Sequence, residues 1–211
     1  MTYERVLAPL GAALPDLEAL YVDLHRHPEL AFAETRTAAE LARRLADDGF
    51  EVQTGVGRTG VVGVLRNGEG PTVLLRADID ALPVEEKTGL PYASTARGVD
   101  AEGRDVPVMH ACGHDMHATW LSGAASLLSA ARDSWSGTLL AVFQPGEEGG
   151  DGAAGMVHDG VFDLAGKPDF VFGQHLVPGP AGWVLTRPGV IMAASDSLRI
   201  TLHGRGGHGS R

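Results

Sequence analysis

The stretch GVVGVLRNGEGPTVLLRAD, Gly60 to Asp78, sets two apolar runs on either side of a glycine-rich loop, Asn67 to Gly70. β-Branched runs bounded by Asn and Gly read as strands, and a short loop between two of them predicts an antiparallel hairpin. Just upstream, FEVQT (50–54) predicts another strand. Between it and Gly60 lies GVGRTG, which matches the glycine pattern of a dinucleotide-binding loop. That fingerprint needs a helix directly after it, and here VVGVL follows. The segment is therefore read as a glycine-rich β turn.

On the N-terminal side, Leu14, Leu17, Leu20, Tyr21 and Leu24 recur at helical spacing, and Pro28 stops the pattern. A second helix is expected from Thr35 to Asp48, with Ala38, Leu41, Ala42 and Leu45 inward and Gly49 as its C-terminal cap. On the C-terminal side, a helix is expected from His114 to about Arg132. GTLLAVFQP and PDFVFGQHL are apolar runs of buried-strand type, separated by a short helix in GAAGMVHDGVF. Strands alternating with helices argue for an α/β layered domain. After Gly182 the chain turns strand-like with no helix. A domain boundary is expected between residues 188 and 189.

Apolar residues make up 44% of the 211-residue chain, enough for a real core. The net charge of −10 counts against binding a phosphate backbone, so nucleic acid is not an expected partner. One cysteine cannot form an intrachain disulfide, and the N-terminal residues contain no long apolar run. No membrane association and a cytoplasmic location are expected.

Four polar clusters interrupt this pattern. The first is MHACGHDMHAT, where Cys112 and His114 are two apart and His117 follows three later. Thiolate and imidazole suit zinc-class metals. The same residues also allow a Cys–His nucleophile, or a packed thiol with no chemistry. In the second, FQPGEEGG, Glu147 and Glu148 end an apolar run, and adjacent carboxylates are costly unless a cation or solvent separates them. One could ligate a metal while the other handles protons. His175 ends the third, VFGQHL. Asp78 and Asp80 close the fourth, LLRADID, on one face of a strand. All four fall at strand ends, where ligands sit in open α/β sheets, and together they favour a metal site. His25 and His27 are expected as cap or surface residues. His110 is expected to serve the loop's hydrogen bonds; for His117 a place behind the ligands is one alternative and a polar residue with no such role is the other.

LHRHPELAFAETRTA, LLRADIDALPVEE, MHACGHDMHAT, FQPGEEGGDGAAGMV and GVIMAASDSLRITLHGRGGHGS occur in that order. With these motifs the chain resembles the amidohydrolase branch of the aminoacylase and carboxypeptidase metallopeptidase family, which includes hippurate hydrolases. The resemblance implies a three-layer zinc-exopeptidase-like domain, a mixed sheet with helices on both faces, over residues 1–188. It implies that residues 189–211 begin an α+β lid and dimerisation domain. It also implies hydrolysis of N-acyl amino acids with two divalent ions of the zinc, manganese, nickel or cobalt class. Cys112, His114, Glu148 and His175 fall at metal-ligand positions, Glu147 at the general base, and Asp78 at an acid orienting a ligand histidine. His208 falls at a lid histidine that reaches substrate across a homodimer. Family members are roughly twice as long, so the chain is expected to be an N-terminal part with weak or no activity alone.

Overall fold

The computed structural model describes residues 3–192, 198 and 200–210. In chain order the elements are α1 (Tyr3–Leu7), α2 (Leu10–Arg26), α3 (Thr35–Asp47), β1 (Glu51–Val56), β2 (Gly60–Asn67), β3 (Thr72–Asp78), β4 (Arg97–Val99), β5 (Asp105–Pro107), α4 (His114–Ala130), β6 (Gly137–Gln144), α5 (Gly152–His158) and β7 (Phe170–Gly173).

The two runs of the 60–78 stretch are not neighbours. The sheet order is β1-β2-β6-β3-β7, so β6 is inserted between β2 and β3. It pairs antiparallel with β2, Val62 opposite Val142, and parallel with β3, Leu74 opposite Leu140. The expected hairpin is therefore corrected to a bridge across two strand spacings, roughly 10 Å. Residues 68–71 cross over the start of β6. A Cβ on Gly70 would lie 2.8 Å from the Ser136 carbonyl oxygen, and one on Gly137 would lie 2.3 Å from that of Pro71. These glycines permit backbone to pass over backbone. The hairpin in this region is β1–β2, and its turn is the GVGRTG segment, as the sequence reading expects.

Period-two alternation gives the sheet two apolar faces. Val61, Leu65, Leu139, Ala141 and Phe143 point to one face, where they meet Leu20 and Leu24 of α2, Leu41 and Leu45 of α3, and Leu121 and Ala125 of α4. Val62, Val64, Leu140 and Val142 point to the other, under Met156 of α5 and Val161. Helices thus cover both faces of a mixed sheet, as expected. Each fully buried Leu contributes about 1.5–3 kcal/mol of transfer free energy. Gly49 caps α3 as expected, with φ 79° and its N–H donating to the Ala46 carbonyl.

β7 departs from the expected buried strand. It is an edge strand paired only with β3, and Phe170, Val171 and Phe172 are all more than half exposed. The β4–β5 ribbon has no counterpart in the sequence reading. The chain divides into two compact units, residues 1–176 and 177–211. The second unit has no strand or helix among the described residues, and residues 193–197 and 199 of the expected lid strand lie outside them. Among the described residues no helix is long and apolar enough to cross a membrane.

Candidate metal centre

β3, β6 and β7 run parallel, so their carboxyl ends meet at one end of the sheet. Asp78 is the last residue of β3. Glu147 and Glu148 follow β6 by a short loop, and His175 lies two residues past β7. α4 begins beside them, with His114 as its first residue. The residue before it, Gly113, has φ 83°, and a Cβ there would lie 3.0 Å from Cδ2 of Leu176. Glycine is needed for both reasons.

The two candidate ligand imidazoles are held in the same tautomer. His114 Nδ1 donates to the Asp80 backbone carbonyl at 2.9 Å and faces Asp80 Oδ1 at 3.2 Å. His175 Nδ1 donates to the Leu176 carbonyl at 2.7 Å. Each ring therefore turns an unprotonated Nε2 toward the cluster, that of His175 facing the Cys112 thiol. His114 Nε2 faces Asp78 Oδ2 at 3.6 Å and one oxygen each of Glu147 and Glu148 at 3.8 Å. It is buried and has no hydrogen-bond partner. His175 Nε2 lies 3.4 Å from Cys112 Sγ.

Three sets of donors converge within 4.8 Å, Cys112–His114–His175, His114–Glu147–Glu148 and Asp78–His114–His117, with His114 in all of them. An orphaned buried imidazole nitrogen facing three carboxylates, next to a thiol and a second imidazole, fits divalent cations of the zinc class. The local electrostatics agree. Burial and the neighbouring Glu148 push the Cys112 thiol up to about 12. That state is poor for a nucleophile, which needs a depressed pKa, but a coordinated cation inverts it. Burial works against a charged His114, yet the Asp80 bond and the facing carboxylates outweigh it and raise its pKa. The cluster carries an excess of negative charge that a cation would neutralise.

Of the candidate residues, Cys112, His114, Glu147, Glu148, His175 and Asp78 are brought together. His208 lies in the second compact unit, where its Nδ1 accepts the Ser210 hydroxyl at 2.7 Å. Asp78 does not meet the Nδ1 of a candidate ligand. Its Oδ1 accepts from His117 Nδ1 at 2.6 Å, and its Oδ2 accepts from Arg76 at 2.7 Å. Burial raises its pKa, but these partners outweigh burial and hold it at about 2. The carboxylate against His114 Nδ1 is Asp80, which also accepts the Glu148 N–H at 2.9 Å. Asp80 thus ties two candidate ligands together. Its signal in the sequence was the D-I-D spacing, which put both acids on one face without separating their partners.

Two histidine expectations are corrected. His25 is buried rather than capping, with Nδ1 donating to Asp115 at 2.7 Å and Nε2 to Glu86 at 3.0 Å. His110 is buried with neither ring nitrogen bonded. The loop's bonds are made by backbone instead, Met109 N–H to Leu82 and Gly113 N–H to the His110 carbonyl.

Residues 74–206 match the profile of peptidase family M20/M25/M40. The chain is 44% identical to a hippurate hydrolase of Campylobacter jejuni over 197 residues, which is 92% of this chain and 48% of that protein. It is 43% identical to an N-acetyl-L-cysteine deacetylase of Bacillus subtilis over 187 residues, 88% of this chain and 42% of that protein. Among solved structures, the Bacillus subtilis YXEP protein, described as a dinuclear metal binding peptidase, superposes with a TM-score of 0.70 at 36% identity, covering 80% of this chain and 44% of that one. The chain spans about half the length of the relatives it matches. It belongs to peptidase family M20/M25/M40.

Proposed function

We propose that this chain carries the metal-binding part of an amidohydrolase that cleaves the amide bond of N-acyl amino acids. The observation supporting it most is the orphaned Nε2 of His114, buried and facing Glu147 and Glu148 beside Cys112 and His175. Cys112, His114, Glu148 and His175 would hold two divalent cations. When bound, such cations supply Lewis acidity, polarising a carbonyl oxygen and acidifying water.

The chain's own residues do the rest. Glu147 has a side chain 38% exposed, more open than Glu148 at 24%, so it is the carboxylate free to take a proton from water. It then returns that proton to the leaving amine nitrogen. Asp80 keeps the His114 proton on Nδ1 and anchors the Glu148 backbone, so both stay in place as charge develops. His208 is proposed to contact the substrate oxyanion from the lid of a partner in a homodimer, with the whole protein working in the cytoplasm. The relatives' names, hippurate hydrolase and N-acetyl-L-cysteine deacetylase, support small N-acyl amino acids as the substrate class.

The test is amine release from hippurate and N-acetyl amino acids by the protein that carries this chain, with zinc, manganese or cobalt added and then removed by chelation. Release that depends on metal supports the proposal. Release that survives chelation points instead to thiol catalysis through Cys112.

A further inference from the structure

His117 lies close enough to Asp78 and His114 to belong to a third group of potential ligands. Its hydrogen bonds argue against that role. Nδ1 donates to Asp78 Oδ1 at 2.6 Å, and Nε2 accepts the backbone N–H of Leu176 at 2.7 Å. A neutral imidazole has one donor and one acceptor nitrogen, and here both are used. The ring is fully buried and lies 4.6 Å from the His175 ring, centroid to centroid.

These bonds form part of an unbroken chain across the sheet end. Arg76 Nε donates to Gln144 Oε1 at 2.9 Å, and its Nη1 donates to Asp78 Oδ2 at 2.7 Å. Asp78 holds His117, His117 holds the Leu176 N–H, and the Leu176 carbonyl accepts Nδ1 of His175 at 2.7 Å. His175 follows β7, an edge strand of four residues with exposed side chains, so the strand itself gives it little packing. The only bond from α4 to this backbone among those described is the one from His117.

We infer that His117 is a positioning residue for His175, acting through the Leu176 backbone rather than by binding a cation. It fixes the amide on one side of Leu176 while the carbonyl on the other side sets the His175 tautomer and ring direction. Asp78 and Arg76 act one bond further back, holding the His117 proton on Nδ1 so that Nε2 faces Leu176. The inference rests on the metal-centre reading only for its consequence. The backbone clamp is a property of the chain alone.

Two measurements on the full chain separate these parts. In the metal-free protein, hydrogen exchange of the Leu176 amide is followed by NMR in wild type, His117→Ala and His117→Gln. The amide is expected to be protected in wild type, exposed in the alanine variant and protected again with glutamine, whose side-chain oxygen can accept the same bond. Circular dichroism checks that the variants fold, and the glutamine variant keeps the test decisive if alanine does not. In the second measurement, cobalt(II) is titrated into wild type, His117→Ala, His175→Ala and the double variant. His117→Ala is expected to bind cobalt about 10–100-fold more weakly, as for loss of an outer partner of a ligand histidine. The double variant should bind no more weakly than His175→Ala alone, because both changes remove one contribution. Wild-type affinity in His117→Ala, or additive losses in the double variant, would overturn the inference, the latter by making His117 a ligand. If wild type takes up no cobalt while Leu176 protection still depends on His117, the metal-centre reading fails and the clamp stands. Protection independent of His117 sinks the clamp itself.

Discussion

Cys112 Sγ and His175 Nε2 lie 3.4 Å apart although 63 positions separate them in sequence. The fold makes this contact by ending β7 beside the start of α4. They meet next to the orphaned nitrogen of His114, where the proposed shared cation would sit.

A chain built to hold such ions should be stabilised by them. Zinc at a hundredfold excess over its Kd should add about 2.7 kcal/mol to unfolding stability, raising Tm. Cys112→Ala and His114→Ala should remove most of that gain and lower the metal content found by elemental analysis. Equal gains in wild type and both variants would place the ions elsewhere.

Glu147 and Glu148 should separate by role. Glu147→Gln in the protein that carries this chain is expected to lose turnover by a factor of about 100 to 10,000, the usual contribution of a general base, while metal content stays near wild type. Glu148→Gln should lower metal content. The reverse pattern would exchange the two assignments.

His25 gives the chain a built-in alkaline sensitivity. Its bond to Asp115, helped by Glu86 and opposed by burial, raises its pKa from 6.5 to about 9. The folded chain therefore holds this proton more tightly than the unfolded one. The stabilisation is complete below about 6.5 and is lost as pH rises through about 9. Tyr21, facing the same carboxylates, has its pKa raised by burial and stays neutral in this window, and burial holds His110 at about 4, also neutral. Thermal unfolding followed from pH 6 to 10 should show a falling Tm that His25→Gln flattens. An unchanged slope in the variant would assign the loss to other groups.

Glu34 should matter more than its place outside the metal cluster suggests. Its side chain is fully buried and accepts the Gly146 N–H at 2.8 Å and the Thr59 hydroxyl. Gly146 immediately precedes the Glu147–Glu148 pair. Burial raises the Glu34 pKa against these two bonds. Glu34→Ala leaves the buried Gly146 N–H and the half-buried Thr59 hydroxyl without this partner and should cost about 1–3 kcal/mol by urea unfolding. Glu34→Gln keeps an acceptor for Gly146 and should cost clearly less. Equal costs would show that side-chain volume, rather than the hydrogen bonds, sets the stability.

Much of this site could be read in the sequence because its residues are local signals. Cys112, His114, the Glu147–Glu148 pair and His175 each interrupt or end an apolar run, and the parallel strands bring those ends together. What could not be read depends on contacts between distant segments. A glycine-rich loop after β2 looks the same whether it turns a hairpin or crosses β6, and only the Gly70–Gly137 approach distinguishes them. His25 looks like a helix-end residue until Asp115, ninety positions later, is placed against it. Asp78 ends β3 and Asp80 lies two residues beyond it, and which of them meets Nδ1 of His114 or of His117 is decided by how α4 packs across the strand end.

The most direct test of the central claim is X-ray absorption at the zinc edge on the zinc-loaded chain. The account predicts a sulfur scatterer at about 2.3 Å that disappears in Cys112→Ala while nitrogen and oxygen scatterers remain. A first shell of nitrogen and oxygen alone in wild type, unchanged by the substitution, would contradict it.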